Sequence, residues 1–226
     1  MAKKKVEPKK EEAIGLDVQL NKSEAFIEQN WKKLALALLA IIVIVAGYYT
    51  YNHFAANKEA KAQAAIAGAQ TALAMQQYEQ ALNGDGATAG FTKVMKEYSG
   101  TKTANLAKLY AAICYAQTGK TDEAIKLFED FDQKDDATIS PASIAALGNC
   151  YIQKGNNEKG VELLLKAAKT ANNDALTPVF LLQAGQVYES MNQNEKAVEL
   201  YNQIKKDYFR SPISQNIDAY IERATK

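Results

Sequence analysis

The chain has 226 residues, 47% hydrophobic and 23% charged, and a formal net charge of +1. A near-neutral chain carries no basic field that would gather nucleic acid along a groove, so nucleic-acid binding is excluded as its main activity. Two cysteines, Cys114 and Cys150, without C-x-x-C spacing, and a single histidine, His53, offer no zinc knuckle, redox motif or lipoprotein anchor.

Residues 1–22, opening MAKKKVEPKKEEA, mix like charges in short blocks with too few apolar groups to bury, and are expected to be a disordered cytoplasmic tail. Its lysines are one candidate for contact with anionic lipid, although Glu7, Glu11 and Glu12 dilute them. Residues 23–33 predict a juxtamembrane helix, with Ser23 as its N-cap. Residues 34–51, LALALLAIIVIVAGYYTY, form an uncharged run which, at about 1.5 Å per residue, matches the hydrocarbon thickness of a bilayer. Trp31 precedes the run and Tyr48, Tyr49 and Tyr51 close it, where amphipathic rings prefer the headgroup level. A cleavable signal peptide is the rival reading, since Ala55 and Ala56 follow, but the run exceeds the usual apolar core of about 7–15 residues. Lysines crowd the N-terminal flank (Lys3, Lys4, Lys5, Lys9, Lys10, Lys22, Lys32, Lys33), whereas only Lys58 and Lys61 follow closely. By the positive-inside rule the N-terminus is cytoplasmic and all that follows Tyr51 is exported, which in a bacterial inner (plasma) membrane means the periplasm.

Residues 52–82 are alanine-rich with high helix propensity and predict a stiff stalk. Their small side chains suit either self-association through the stalk or packing on the domain that follows. Asn83-Gly84-Asp85-Gly86 reads as a turn, because the further acidic ligands of a calcium loop are missing.

From residue 83 to 226 the chain repeats itself. Tyr115, Tyr151 and Tyr188 lie 36 and 37 residues apart. Three residues before each stands a small one, Ala112, Gly148 or Gly185; nine after, another, Ala124, Gly160 or Ala197; four further on, a large one, Phe128, Leu164 or Tyr201. Small-then-large alternation lets one helix of a pair lock against the next. Asp122, Asn157 and Asn194 are expected to cap second helices, and Ser140-Pro141, Thr177-Pro178 and Ser211-Pro212 to open first ones. The windows give repeats at about 105–138, 141–174 and 178–211 and a capping helix at 212–225. A degenerate pair precedes them, its second helix holding Phe91, Val94, Met95 and Tyr98.

These residues resemble the tetratricopeptide-repeat family. The resemblance implies an all-α chain: a single N-terminal transmembrane helix followed by a right-handed tetratricopeptide-repeat α-solenoid. The sequence departs from the family pattern at Lys108, Ile144 and Leu181, where a large aromatic is usual, and at Gly160, where alanine is commoner and looser packing is expected. In such arrays first helices line the concave face. That places Leu106, Leu109, Ile113 and Gln117, then Ala142, Ala145, Asn149 and Gln153, then Val179, Leu182, Gln186 and Glu189 in a protein-binding groove. The groove lacks the lysines and arginines with which similar repeats clamp C-terminal carboxylates, so an apolar or unfolded segment fits it better; the alternative is that the stalk fills its apolar half.

No phosphate loop, metal-spaced histidine cluster or nucleophile elbow is present, so no enzyme activity, metal or cofactor is expected. Cys114 and Cys150 each precede a repeat tyrosine, on first helices about 8–10 Å or more apart, which predicts two buried thiols rather than a disulfide. In layout, the chain resembles the ancillary Sec-translocon subunit family of the tetratricopeptide class. That resemblance implies a periplasmic domain beside the translocon, with translocon, chaperones or exported clients as partners. The alternatives are a structural scaffold for an envelope assembly, in outer-membrane biogenesis or cell division, binding one folded partner, and an organelle receptor of the same layout.

Overall fold

The computed structural model describes the backbone from Lys10 and the side chains of Glu24 and of residues 26–226. It divides into two units, the residues up to Ala56 and Asn57–Lys226. Helix α1 runs Lys10–Ala74. It begins earlier than expected: residues 10–22 are helical rather than disordered, and Ser23 stands inside the helix instead of capping it. Once the apolar run has nucleated a helix, extending it costs only propagation, and no proline intervenes. The expected tail before Lys10 lies outside the described residues.

In the first unit the apolar run presents its side chains outward. Leu36, Ile44 and Tyr51 are 68%, 69% and 72% exposed. Among the described residues α1 is the one helix long and apolar enough to cross a membrane. The Thr50 hydroxyl donates back to the carbonyls of Ala46 and Gly47, so its polar group is met within the helix.

The second unit is a stack of helix pairs: α2 (Tyr78–Asn83), α3 (Phe91–Glu97), α4 (Lys102–Gln117), α5 (Thr121–Glu129), α6 (Ile139–Gln153), α7 (Asn157–Ala171), α8 (Thr177–Ser190) and α9 (Asn194–Asp207). A 3-10 turn, Pro212–Asn216, and α10 (Ile217–Thr225) end it, so the expected capping helix is α-helical only in its second part. Four first helices finish in one turn. The N–H groups of Gln77, Lys120, Asn156 and Gln193 reach back to the carbonyls of Ala72, Tyr115, Tyr151 and Tyr188 at 2.8, 2.9, 2.9 and 2.9 Å. The preceding residues Gln76, Gly119, Gly155 and Asn192 have φ of 59°, 77°, 81° and 56°, the left-handed residue of a Schellman C-cap. The alanine-rich segment is therefore not a stalk reaching residue 82. It is the first helix of a fourth pair, ending at Ala74, whose second helix is split into α2 and α3.

In this fourth pair Ala72 stands where the others carry tyrosine, and Ala69 and Ala81 are its small contact residues, 2% and 0% exposed. The split comes from the insertion Gly84–Gly90. Asp85 there accepts from the backbone N–H of Ala87 and Thr88 and from the Thr88 hydroxyl, confirming a turn, and Thr88 lies so close over Gly68 of α1 that a side chain at Gly68 would collide with it. Glu59 of α1 accepts from the Lys102 and Thr103 N–H groups (2.7 and 3.2 Å) and from the Thr103 hydroxyl, capping α4 across repeats. Burial alone would raise the Glu59 carboxyl; these bonds outweigh it and hold the group below the usual range.

The within-pair contact is tightest at the glycines. A side chain at Gly160 would overlap Ile152, one at Gly148 would meet the Gly160 carbonyl at 2.9 Å, and one at Gly185 would overlap the Tyr201 ring. Gly160 thus tightens its pair instead of loosening it, because Ile152 takes the volume an alanine methyl would need. The caps fall beside the expected residues. Asn156 rather than Asn157 caps α7, Asp136 accepts from Thr138, Ile139 and Ser140 to start α6, and Asn173 accepts from Ala175 and Leu176 ahead of α8. Lys120 and Gln193 precede α5 and α9 without a side-chain cap bond, whereas Ser211 caps the 3-10 turn as expected.

Because the Tyr201 ring is fully buried against Gly185, Gly185→Ala is expected to destabilise the chain by about 1–3 kcal/mol through overpacking. Thermal melts followed by circular dichroism check this; an unchanged midpoint would show that the α8–α9 contact is loose.

Candidate protein-binding groove

The expected groove residues divide into two sets. Leu106, Ile113, Val179, Leu182 and Glu189 are half-buried, and Gln117, Ala142, Asn149, Gln153 and Gln186 are exposed, as a binding face requires. Leu109 and Ala145 are corrections: at 7% and 3% exposure they belong to the core. Both sit six residues before their tyrosine, a position that turns into the core in these two repeats, whereas the equivalent Leu182 of the third stays half-buried. Glu189 also differs from expectation. Its carboxylate accepts both Arg223 guanidinium bonds from α10 (2.8 Å each) and the Tyr201 hydroxyl, so it fastens the terminal helix.

Two cavities open along the crease between α4 and α6. The first, of about 560 Å³, is lined by Ile113, Ala116 and Gln117 of α4, by Ala146, Asn149, Cys150, Ile152 and Gln153 of α6, and by Phe128 at its floor. It unites four expected residues, and no formally charged side chain lines it. The Gln153 side-chain carbonyl accepts from the Thr121 hydroxyl at 3.0 Å, and its amide N–H groups are donors. The second, of about 720 Å³, lies at the N-terminal ends of the same helices, lined by Leu106, Phe131 and the 47%-exposed Ile139 within a rim of Lys102, Asp132, Lys134 and Asp136. Lys134 pairs with Asp132, and Asp136 is engaged by the first turn of α6.

Sequence reasoning missed Ala146, Phe131 and Ile139. Ala146 shares the face of 142, 149 and 153, but helical period places 145 there equally well, and only its burial shows that 145 turns inward. Phe131 and Ile139 lie on the inter-repeat connection, where no periodic signal exists. The alanine-rich segment does not line either cavity; its Ile66, Ala69 and Ala72 pack in a core with Phe91, Val94 and Cys114.

Both thiols are buried. Burial pushes Cys114 up to about 11 and raises Cys150 as well, so neither is a ready nucleophile. They lie in different cores, Cys114 with α1 and Cys150 beneath the crease. Among the described residues no three His, Cys, Asp or Glu side chains are grouped to hold a metal.

Arg223 first, and the Tyr201 hydroxyl after it, hold the Glu189 carboxyl below its ordinary range against the opposing effect of burial. A folded value below the unfolded one contributes stability above the ordinary carboxylate range, lost as pH falls through the depressed value. Glu189→Gln is therefore expected to cost about 1–2 kcal/mol near neutral pH and to flatten the acid limb. Melts of both proteins between about pH 7 and about pH 3 test it; parallel curves would remove Glu189 as the fastening of α10.

The profile of the tetratricopeptide repeat-like domain family matches residues 24–216. No curated protein sequence matches the chain. Among solved structures, the nearly identical TPR-like repeats described as a kinesin light chain of Podosopora anserina superpose with a TM-score of 0.59 at 16% identity, covering 74% of this chain and 86% of that one. A point variant of the same repeats gives 0.57 at 17% identity, with 74% and 85% covered. The MamA protein gives 0.51 at 16% identity, with 72% and 89% covered. At such identities the likeness is one of fold, and it agrees with the four helix pairs and their shared turn. The chain belongs to the tetratricopeptide repeat-like domain family, whose fold is typically a non-enzymatic module for protein–protein interaction.

Proposed function

We propose that the protein is a membrane-anchored interaction module that receives unfolded or partly folded exported chains beside the Sec translocon. The observation that carries this reading is the first cavity of the crease between α4 and α6, apolar at its floor and rimmed by carboxamides instead of charges. Such a lining supports contact with an extended polypeptide: apolar side chains enter, and the amides of Gln117, Asn149 and Gln153 meet the main chain. A carboxylate-clamping receptor would need cations that this lining lacks.

Anchoring rests on the exposed apolar surface of residues 34–51, which water would penalise at about 25 cal/mol per Å². The lysine asymmetry around that run supports an N-terminus in the cytoplasm and repeats on the exported side. The translocon role draws on the layout of one span followed by a small repeat domain.

Photo-crosslinking residues placed at Gln117 and Gln186, with Glu199 on α9 as control, test the reading. Many exported proteins together with translocon subunits are expected at the first two positions. One discrete folded partner would instead mark an envelope scaffold. Protease added to intact spheroplasts is expected to digest the repeats and spare the N-terminal flank; survival of the repeats would overturn the topology.

A further inference from the structure

Resting on the reading of the crease as a polypeptide site, we infer that Ala146 is its specificity-determining residue: it opens one anchor pocket in the repeat stack, fitted to a short uncharged segment of another polypeptide with an apolar side chain at its centre. The argument comes from three equivalent positions. Five residues before the repeat tyrosines stand Tyr110, Ala146 and Gln183. Tyr110 fills its own place, with its ring 5.4 Å from that of Phe91. Gln183 projects a long side chain in its place, with its carbonyl oxygen buried without a donor. At Ala146 only a methyl projects, and the cavity of about 560 Å³ opens there above Phe128.

The lining also states the charge of the occupant. Every polar side chain that lines the cavity, Gln117, Asn149 and Gln153, is a carboxamide, able to donate and accept but not to neutralise. The ionic residues that follow Gln153 and Phe128 in the chain are engaged elsewhere: Lys154 with Asp122, and Glu129 with the Tyr151 hydroxyl. A charged side chain entering the crease would lose hydration with no counter-ion to replace it, whereas a neutral main chain finds partners. Shape and charge together select an apolar anchor with uncharged neighbours.

The test uses the full chain in lipid nanodiscs, with methyl groups of isoleucine observed by nuclear magnetic resonance. The probes are three end-blocked short peptides with a leucine-rich centre and flanks of Ser and Asn, of Lys, or of Asp. With the neutral peptide, shifts are expected at Ile113 and Ile152 and not at Ile213. The charged peptides are expected to bind about tenfold more weakly. Ala146→Gln, which places in this repeat the side chain that its neighbour carries, is expected to weaken the neutral peptide about tenfold with an unchanged melt. Gln183→Ala is expected to open a second site and shift Val179 and Leu182 resonances in a leucine- and valine-labelled sample. Neutral-peptide binding that Ala146→Gln leaves intact, or charged peptides binding as well as the neutral one, would overturn the inference while the interaction reading stands. Absence of any peptide binding, together with absence of crosslinks at Gln117, would overturn both.

Discussion

The structure depends on one steric condition: within each pair, two helix backbones must come so close that only glycine or alanine stands at the crossing. Gly148 and Gly160 meet carbonyl to backbone, and Gly185 receives the ring of Tyr201. Elsewhere Ala69 with Ala81 and Ala112 with Ala124 are the smallest side chains that permit the approach, and all four are almost wholly buried. Dispersion falls steeply with separation, so this closeness lets Leu164 and Tyr201 be wholly enclosed and Phe128 almost so. The turn between the helices is then determined. The chain must reverse within a few residues, which requires the left-handed residue found at Gln76, Gly119, Gly155 and Asn192.

That condition explains how much of the fold was legible. Three pairs announce themselves through tyrosine, small and large residues at fixed spacing. The fourth obeys the same sterics with different letters. Ala72 replaces the tyrosine, Gln76 supplies the positive φ that glycine or asparagine supplies elsewhere, and the insertion around Asp85 breaks the second helix before its large residue. A pattern of letters hides this pair, whereas the pattern of volumes keeps it: Ala69 and Ala81 stand twelve residues apart, as do Ala112 and Ala124. The helix caps were misplaced by one to four residues for a related reason. Asp136 and Asn173 reach over an intervening turn to several N–H groups, so the capping side chain lies upstream of the Ser-Pro and Thr-Pro pairs.

The groove was legible as a face but not as a shape. Assigning a helix face by period places Ile113, Gln117, Asn149 and Gln153 together, and the cavity joins them. Period alone cannot tell which neighbouring position turns inward, since 109 and 145 differ from 110 and 146 by a single step of the helix, about 100°. Nor can it show that the crease is open, because openness depends on what the adjacent first helix contributes. A methyl at Ala146 leaves room that a phenol at Tyr110 does not.

Charge follows the same economy of placement. Carboxylates are gathered where backbone N–H groups are exposed: Glu59 at the start of α4, Asp136 at the start of α6 and Asp85 in the insertion turn. Others link successive repeats, as Glu79 does with Lys120 and Asp122 with Lys154, while Glu189 receives Arg223. Exposed pairs of this kind add little stability individually. Their arrangement nevertheless has a consequence for recognition. Ionic groups engaged at helix ends and at the outer edges of the stack leave the first cavity of the crease between α4 and α6 lined by neutral amides over an apolar floor. Attraction by net charge is then absent from that cavity, and whatever enters it must be held by shape and by the hydrogen bonds that any polypeptide backbone can make.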